Sequence, residues 1–224
     1  MDTFLTLFPN VDWVEIWVAT LDTLNMLVVS LGFTILLGLP LGVILFLTSP
    51  RQLLENKGLY STLAIVVNLL RALPFIILLI VMMPVTEVIT GTTLGILGTL
   101  PPLIAGATPF FARLVETALR EVDRGIIEAT QAMGATTRQI IVKALLPEAR
   151  PGILAAITVT AIALVSFTAM AGAVGAGGLG DLAIRYGYQR FQNDVMFVTV
   201  VLLLVLVQIL QSIGDKLVAH FTHR

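Results

Sequence analysis

The sequence contains no cysteine, which excludes disulfides, thiol chemistry and Cys-based metal sites while leaving the compartment open. Charge is scarce. Asp, Glu, Lys and Arg make up 12% of the chain, against about a quarter of a soluble domain. There is no G-x-x-x-x-G-K-[ST] stretch, so the chain has no loop of its own to cradle ATP phosphates. Acids are missing from the middle of the apolar runs. Asp22 and Asp215 sit at run ends and Glu116 lies near the end of the third. A proton- or sodium-coupled carrier would place carboxylates at mid-membrane depth. The two histidines, His220 and His223, stand in the tail, and no catalytic or metal constellation forms around them. Net charge is −1 and the thirteen Lys and Arg are dispersed, so no nucleic-acid footprint exists.

What remains is apolar. Hydrophobic residues make up 57% of the 224 positions, and mean hydropathy is +0.98. The chain is therefore expected to be an integral membrane protein. The first fifteen residues carry Asp2, Asp12 and Glu15 and no Lys or Arg. They lack the basic region of a signal peptide, so the N-terminus is expected to be retained. Uncharged runs long enough for a crossing of roughly 20 residues predict an all-α fold of five spans. These lie at about 17–48, 60–84, 93–118, 152–174 and 195–215, within one domain over 20–211. Arg71 and Pro74 interrupt the second span.

Five spans divide the loops into two sets. The segments 49–58, 113–150 and 215–224 hold Arg51, Lys57, Arg113, Arg120, Arg124, Arg138, Lys143, Arg150, Lys216 and Arg224. The segments 1–16, 85–92 and 175–194 hold only Arg185 and Arg190. Lys and Arg concentrate in cytoplasmic loops, so the N-terminus is expected outside and the C-terminus in the cytoplasm. An even span count would split the two basic segments between the two sides. Gly38-x-x-x-Gly42 has the small-residue spacing that lets helices approach closely, and we read it as packing within the subunit. Arg71 is costly inside a bilayer. It is read as an interfacial structural residue, in a second span that begins late.

The 113–150 segment, with its centre at about 120–150, is patterned. Ile126, Ile127, Ala129, Thr130 and Met133 recur at helical spacing. Gly134 breaks the run. Thr136 and Gln139 then make a capping-box pattern. A second short helix over 137–146 follows, with Ile140, Ile141, Ala144 and Leu145 on one side, and Pro147 is expected to end it. Periodicity alone leaves two possibilities open. The pair of helices is a stiff lever worked by a partner, or it lies on the lipid headgroups. Gly175-Ala-Gly-Gly-Leu-Gly180 matches G-x-G-x-x-G, yet it follows a membrane-length run rather than a strand. We read it as a flexible external turn.

Glu128-Ala129-Thr130, Gly134 and Ala144-Leu145-Leu146-Pro147 resemble the cytoplasmic EAA loop of bacterial ABC importer permeases. Thr130 and Ala144 depart from the family pattern but keep a small and an apolar residue. Arg71-Ala-Leu-Pro-Phe-Ile-Ile-Leu-Leu79, Gly172-Ala-Val-Gly-Ala-Gly-Gly-Leu-Gly180 and Tyr186-Gly-Tyr188 extend the resemblance across nearly the whole chain, to the methionine-importer permeases. That resemblance implies a type I importer permease of the bacterial cytoplasmic membrane, acting as a homodimer. Its partners would be two copies of a cytoplasmic ABC ATPase, an external methionine-binding lipoprotein, and membrane lipid. ATP and Mg would sit on the ATPase, and this chain would bind no cofactor and catalyse nothing.

By the same resemblance Glu128, Ala129, Gly134, Leu146 and Pro147 form the ATPase-coupling element. Glu128 makes a polar contact to the ATPase or a cap within the loop. Gly134 sets the turn, and Pro147 fixes the exit into span four. Ser166 and Met170, four apart on one helix face, are candidates for the substrate pathway, with Thr168 between them. Gly177, Gly178, Tyr186 and Tyr188 are candidates for docking the binding protein. The alternatives are a permease for another amino acid or small solute and an ATP-independent secondary transporter. An intramembrane enzyme lacks paired catalytic residues in the spans.

Overall fold

The computed structural model describes residues 8–222, and every regular element among them is helical. Asp2, His223 and Arg224 lie outside the described residues.

α1 (Trp13–Thr48) starts where the Asp12 carboxylate accepts the N–H groups of Val14 and Glu15, at 2.9 and 3.2 Å. An N-cap of this kind satisfies donors that a helix start leaves bare. Its 36 residues make about 54 Å of helix at 1.5 Å per residue. That exceeds a hydrocarbon core of roughly 30 Å, so α1 tilts or extends beyond the apolar slab. α2 (Lys57–Ala72) is capped by Asn56, whose side chain accepts from Leu59 N–H at 3.0 Å. α3 (Phe75–Thr90) ends on Gly91 at φ +74°, where the glycine N–H reaches the Glu87 carbonyl. α4 covers Gly95–Arg120.

The second span therefore differs from the expected 60–84. It begins early, at Lys57, and is broken into α2 and α3. Pro74 is the cause: the proline ring pushes the preceding residue, Leu73, out of helical angles. Four helices among the described residues are long and apolar enough to cross a membrane, and the α2–α3 pair as one broken span makes five. Arg71 stands at the C-terminal end of α2, not at a late start. Its guanidinium lies 5.9 Å from the Phe110 ring centre, an exposed cation–π geometry.

α5 (Arg124–Ala132), α6 (Thr137–Ile140), a π-helical turn (Ile141–Leu145) and α7 (Leu146–Glu148) make up the segment between the third and fourth spans. α8 (Arg150–Ala171) leads through a 3-10 turn (Gly172–Val174) to α9 (Gly178–Leu182) and a second π-helical turn (Ala183–Tyr188). α10 (Asn193–Phe221) closes the chain.

Contacts group these residues into two compact units. The first takes the chain up to Phe33, Leu73–Ala107 and Ala161–Leu210, and the second takes Thr34–Ala72, Thr108–Thr160 and the chain from Gln211. The first unit has a core of Met26, Leu27, Phe75, Leu79, Leu103 and Leu164, with Phe75 stacked on Phe167 at 4.5 Å. A smaller cluster joins Ile16, Leu179, Leu182 and Val198. Asn10 clasps Asp194 through its backbone N–H and its side-chain amide, at 2.9 to 3.2 Å.

The second unit is built on Phe46, Phe111, Val115, Leu119, Ile127, Ile140 and Leu145. Gly38 and Gly42 press α1 against α4 there. A methyl group on Gly38 would meet Thr108 and Phe111, and one on Gly42 would meet Ala112 and Val115. Lipid tails are as apolar as leucine, so such close packing rather than water exclusion holds spans together. The expected role of the glycine pair within the subunit is what the structure shows.

Candidate functional site

The segment 123–149 forms two short helices on a common apolar floor. Asp123 caps α5, its carboxylate accepting the Gly125 N–H at 2.7 Å. Ile127 is buried on the inner face of α5, and Ile140 and Leu145 are buried beyond the turn. All three join Val115 and Leu119 of α4, Ala149 just before α8, and Ala156 of α8 in one cluster. The turn itself is Gly134, at φ +78°. Gly134 N–H bonds the Gln131 carbonyl, and Ala135 N–H reaches back to Thr130 at 3.2 Å. This is the left-handed cap that glycine supplies without a Cβ penalty.

Thr136 starts α6 with the predicted capping box. The Gln139 side-chain oxygen accepts Thr136 N–H at 2.9 Å, and Thr136 Oγ1 accepts Gln139 N–H at 3.4 Å.

Two expectations are corrected here. Pro147 does not end the helix. The chain winds through a π turn, in which Leu146 N–H bonds the Ile141 carbonyl five residues back, and Pro147 sits in the first turn of α7. Proline is tolerated there because its missing N–H is not needed. Only Ala149 then separates α7 from α8, and Ile153 N–H bonds the Ala149 carbonyl at 2.9 Å. Glu128 is not a cap, because Asp123 is. Glu128 pairs with Arg124 at 2.9 Å on the open face of α5, where both side chains are 64% exposed. Such a pair is worth under about 1 kcal/mol. Ala129, Met133, Gly134 and Val142 are also exposed, while Leu146 and Pro147 are half-buried. Met133, read from periodicity as part of an apolar stripe, is 77% exposed.

Sequence reasoning missed the cluster around Glu116. This carboxylate is buried, yet each oxygen is held. Arg113 Nη1 donates to Oε2 at 2.5 Å and Arg120 Nη2 to Oε1 at 2.7 Å. Tyr60 OH adds a bond to Oε1 at 3.2 Å, and Arg113 also reaches the Asn68 side chain at 2.8 Å. A buried charge persists only when so paired. The signal was present in Arg113-x-x-Glu116-x-x-x-Arg120, a spacing that puts all three on one helix face. The cluster ties α4, just before α5, to α2.

Ser166 and Met170 are both exposed on α8 and share a face. Thr168 is buried and returns its hydroxyl to the Val165 carbonyl at 2.8 Å. The glycine-rich segment is not a flexible external turn. Gly175, Gly177 and Gly178 have φ near +80°, but Gly178, Leu179, Gly180 and Leu182 are buried. A methyl group on Gly180 would lie 2.5 Å from the Ala169 backbone, and one on Gly172 would collide with Gly180 and Asp181. Thr23 Oγ1 accepts the Leu179 N–H at 2.9 Å. Gly178 therefore shapes the packing and offers no docking surface. Tyr186 is half-buried, with the guanidinium groups of Arg185 and Arg190 at 4.8 and 4.6 Å from its ring centre, while Tyr188 is 70% exposed. Arg185 is anchored by Glu15 and Asp181 at 3.2 and 3.0 Å. Among the described residues no group of three or more His, Cys, Asp or Glu is placed to hold a metal ion.

Comparison with known proteins adds to this geometry. The family profile "Binding-protein-dependent transport system inner membrane component" matches residues 34–223. A Vibrio cholerae protein described as a probable D-methionine transport system permease protein, MetI, is 53% identical over 206 residues, covering 92% of each chain. The methionine import system permease protein MetP of Bacillus subtilis is 52% identical over 93% of this chain and 94% of its own. A solved structure of the MetNI methionine ABC transporter in inward-facing conformation superposes with a TM-score of 0.92 at 47% identity. It covers 95% of this chain and all of that one.

Proposed function

Since the chain belongs to the family of binding-protein-dependent transport system inner membrane components, we propose that it is the translocation subunit of an ATP-driven methionine importer, taking D- and L-methionine across the inner membrane. It is a multi-pass permease with the N-terminus outside and the C-terminus in the cytoplasm, and it is not itself an enzyme. Two chains spanning most of their own length against this one are methionine permeases by description. That supports methionine over another amino acid or small solute.

The finer arrangement follows from the site. A second copy of this chain completes the pathway, and lipid surrounds the pair. α10 fits either neighbour, because only 11% of its most apolar window is buried within the chain. Two copies of a cytoplasmic ATPase hold ATP and Mg and hydrolyse ATP. An external methionine-binding lipoprotein delivers substrate, and Gly177, Tyr186 and Tyr188 are the residues we assign to its docking. Ser166 and Met170 line the pathway. The Met170 thioether is polarizable and adaptable, which suits a flexible apolar substrate.

The observation that carries the coupling role is the split character of the 123–149 segment. Its inner face is pinned to α4 and α8 through Ile127, Ile140 and Leu145. Its outer face, with Glu128, Ala129, Met133 and Gly134, is open to a partner. A push on that outer face moves the ends of the third and fourth spans together, because no loose linker intervenes. Closure of the ATPases on ATP thus opens the pathway toward the binding protein by alternating access. Leu146 and Pro147 stiffen the exit toward α8.

Reconstitution with the ATPase and binding protein in liposomes tests the whole reading. Methionine, in either hand, should drive ATP-dependent uptake. Uptake that persists without ATP and follows an imposed ion gradient would make the chain a secondary transporter instead.

A further inference from the structure

The segment joining α1 to α2 makes a cavity with α5 that the coupling role leaves unused. Leu54 N–H bonds the Leu47 carbonyl and Asn56 N–H the Thr48 carbonyl, at 3.1 and 3.0 Å, so this short loop is folded back on the end of α1. Arg51 sits in it at φ +66°, its N–H held by the Glu55 carboxylate at 2.9 Å. The cavity holds about 230 Å³ and is lined by Arg51, Gln52, Leu53, Arg124, Ile127, Glu128 and Gln131. Leu53 and Ile127 belong to the apolar cluster below and form its floor. The remaining five lining residues are polar or charged.

The charges do not cancel. Arg51 and Arg124 supply two positive charges and Glu128 one negative, leaving +1 on the lining. Glu128 is engaged with Arg124. The Arg51 guanidinium takes part in none of the ion pairs found among the described residues. The amides of Gln52 and Gln131 add donors.

We infer that this cavity is a carboxylate socket. It receives an Asp or Glu side chain of the ATPase, with the Arg51 fork as its main partner. A guanidinium matches a carboxylate in bidentate geometry. The apolar floor suits the methylene stem of an acidic side chain better than a bare phosphate. Glu128 and Gln131 stand both on the wall of the cavity and on the exposed face of α5, so the socket is continuous with the surface assigned to the ATPase. The inference rests on that assignment. It adds a second contact, from a different part of the chain, in which the permease is the receptor and the ATPase the inserted piece.

The test is a zero-length cross-link in the intact permease–ATPase complex. Arg51→Lys puts an amine in the socket, and a carbodiimide joins it as an amide to any carboxylate in contact. Met133→Cys, the sole cysteine in this chain, carries a benzophenone to report the α5 interface separately. The expected result is an adduct between position 51 and an Asp or Glu of the ATPase, with severalfold less of it in 1 M salt, where charge attraction is screened. If the benzophenone links to the ATPase while position 51 couples only to Glu55 or Glu128, or to nothing, the socket is wrong and the coupling role stands. If neither position links, the α5 interface falls and the socket falls with it.

Discussion

Two segments of this protein look alike on paper and behave differently in space. Each contains glycine at a break, a short helix and a π-helical turn: Gly134 with Ile141–Leu145, and Gly172–Gly180 with Ala183–Tyr188. Around Gly134 there is open space; an added methyl group would meet nothing within 4 Å. Around Gly172 and Gly180 the backbone of another turn is already in contact. Gly134 is glycine because of its angle, and Gly180 is glycine because of its neighbours. The first kind leaves a surface free for a partner. The second kind consumes the surface in holding the fold.

The largest effect expected from this contrast is at Gly180. Gly180→Leu drives a side chain into the Ala169 backbone, which cannot give way as a flexible side chain would. The cost should reach or pass the upper end of the roughly 1–3 kcal/mol typical of overpacking. Little monodisperse protein should then be recovered from membranes in size-exclusion chromatography. Normal recovery would show that the segment is as loose as a plain turn.

Gly134→Val should act next most strongly and in another way. A β-branched residue held at positive φ costs about 1–2 kcal/mol. The protein should still insert and purify, while methionine-stimulated ATP hydrolysis by the complex drops severalfold. Gly134→Asn sharpens the point, since asparagine tolerates left-handed angles; it should keep most of the activity. Gly180→Asn should not be rescued, and equal behaviour of the two asparagine variants would erase the distinction.

Thr136→Ala removes the capping box and should cost about 1 kcal/mol. The readout is faster amide hydrogen exchange confined to 137–145, with uptake reduced modestly. The smallest stability effect belongs to Glu128→Gln. The pair it breaks is largely exposed, so the thermal midpoint should hardly move. A fall in ATPase coupling at unchanged stability would mark Glu128 as a contact to the partner, and unchanged coupling would confine it to the surface.

Much of this was legible in the sequence, for reasons specific to each element. Four spans could be read because an uncharged run of membrane length has few other uses, and the Lys and Arg imbalance fixed their direction. Gly134 and the Thr136–Gln139 box could be read because caps are local. The break at Pro74 was visible as a proline, but its outcome, two helices of 16 residues each, depends on how the chain packs on either side. Burial of Gly178 and Gly180 was not legible, since glycine in a loose turn and glycine in a tight contact are spelled the same. The Glu116 cluster joins Tyr60 to Glu116 and Arg120, and Asn68 to Arg113, across 45 to 60 positions of sequence, and no local pattern foretells such a meeting.

The π turn at Ile141–Leu145 acts as a phase shifter. An α-helix advances about 100° per residue, and a π turn inserts one residue without lengthening the helix by a full step. Everything after it is rotated by that angle relative to an uninterrupted helix from Thr137. Leu145, Ala149 and Ala156 share a face by ordinary helical spacing, and they join Ile140, five residues before Leu145, in the apolar cluster because that rotation has been added. Deleting one residue within 141–145 would restore an ordinary α-helix and leave Ala149 and Ala156 on the face they now occupy, because the π turn only absorbs the extra residue. Winding the unaltered sequence as an α-helix would instead turn the entry to α8 by about 100° and put a different set of side chains against α4. The timing between the coupling surface and the fourth span is thus written as a residue count.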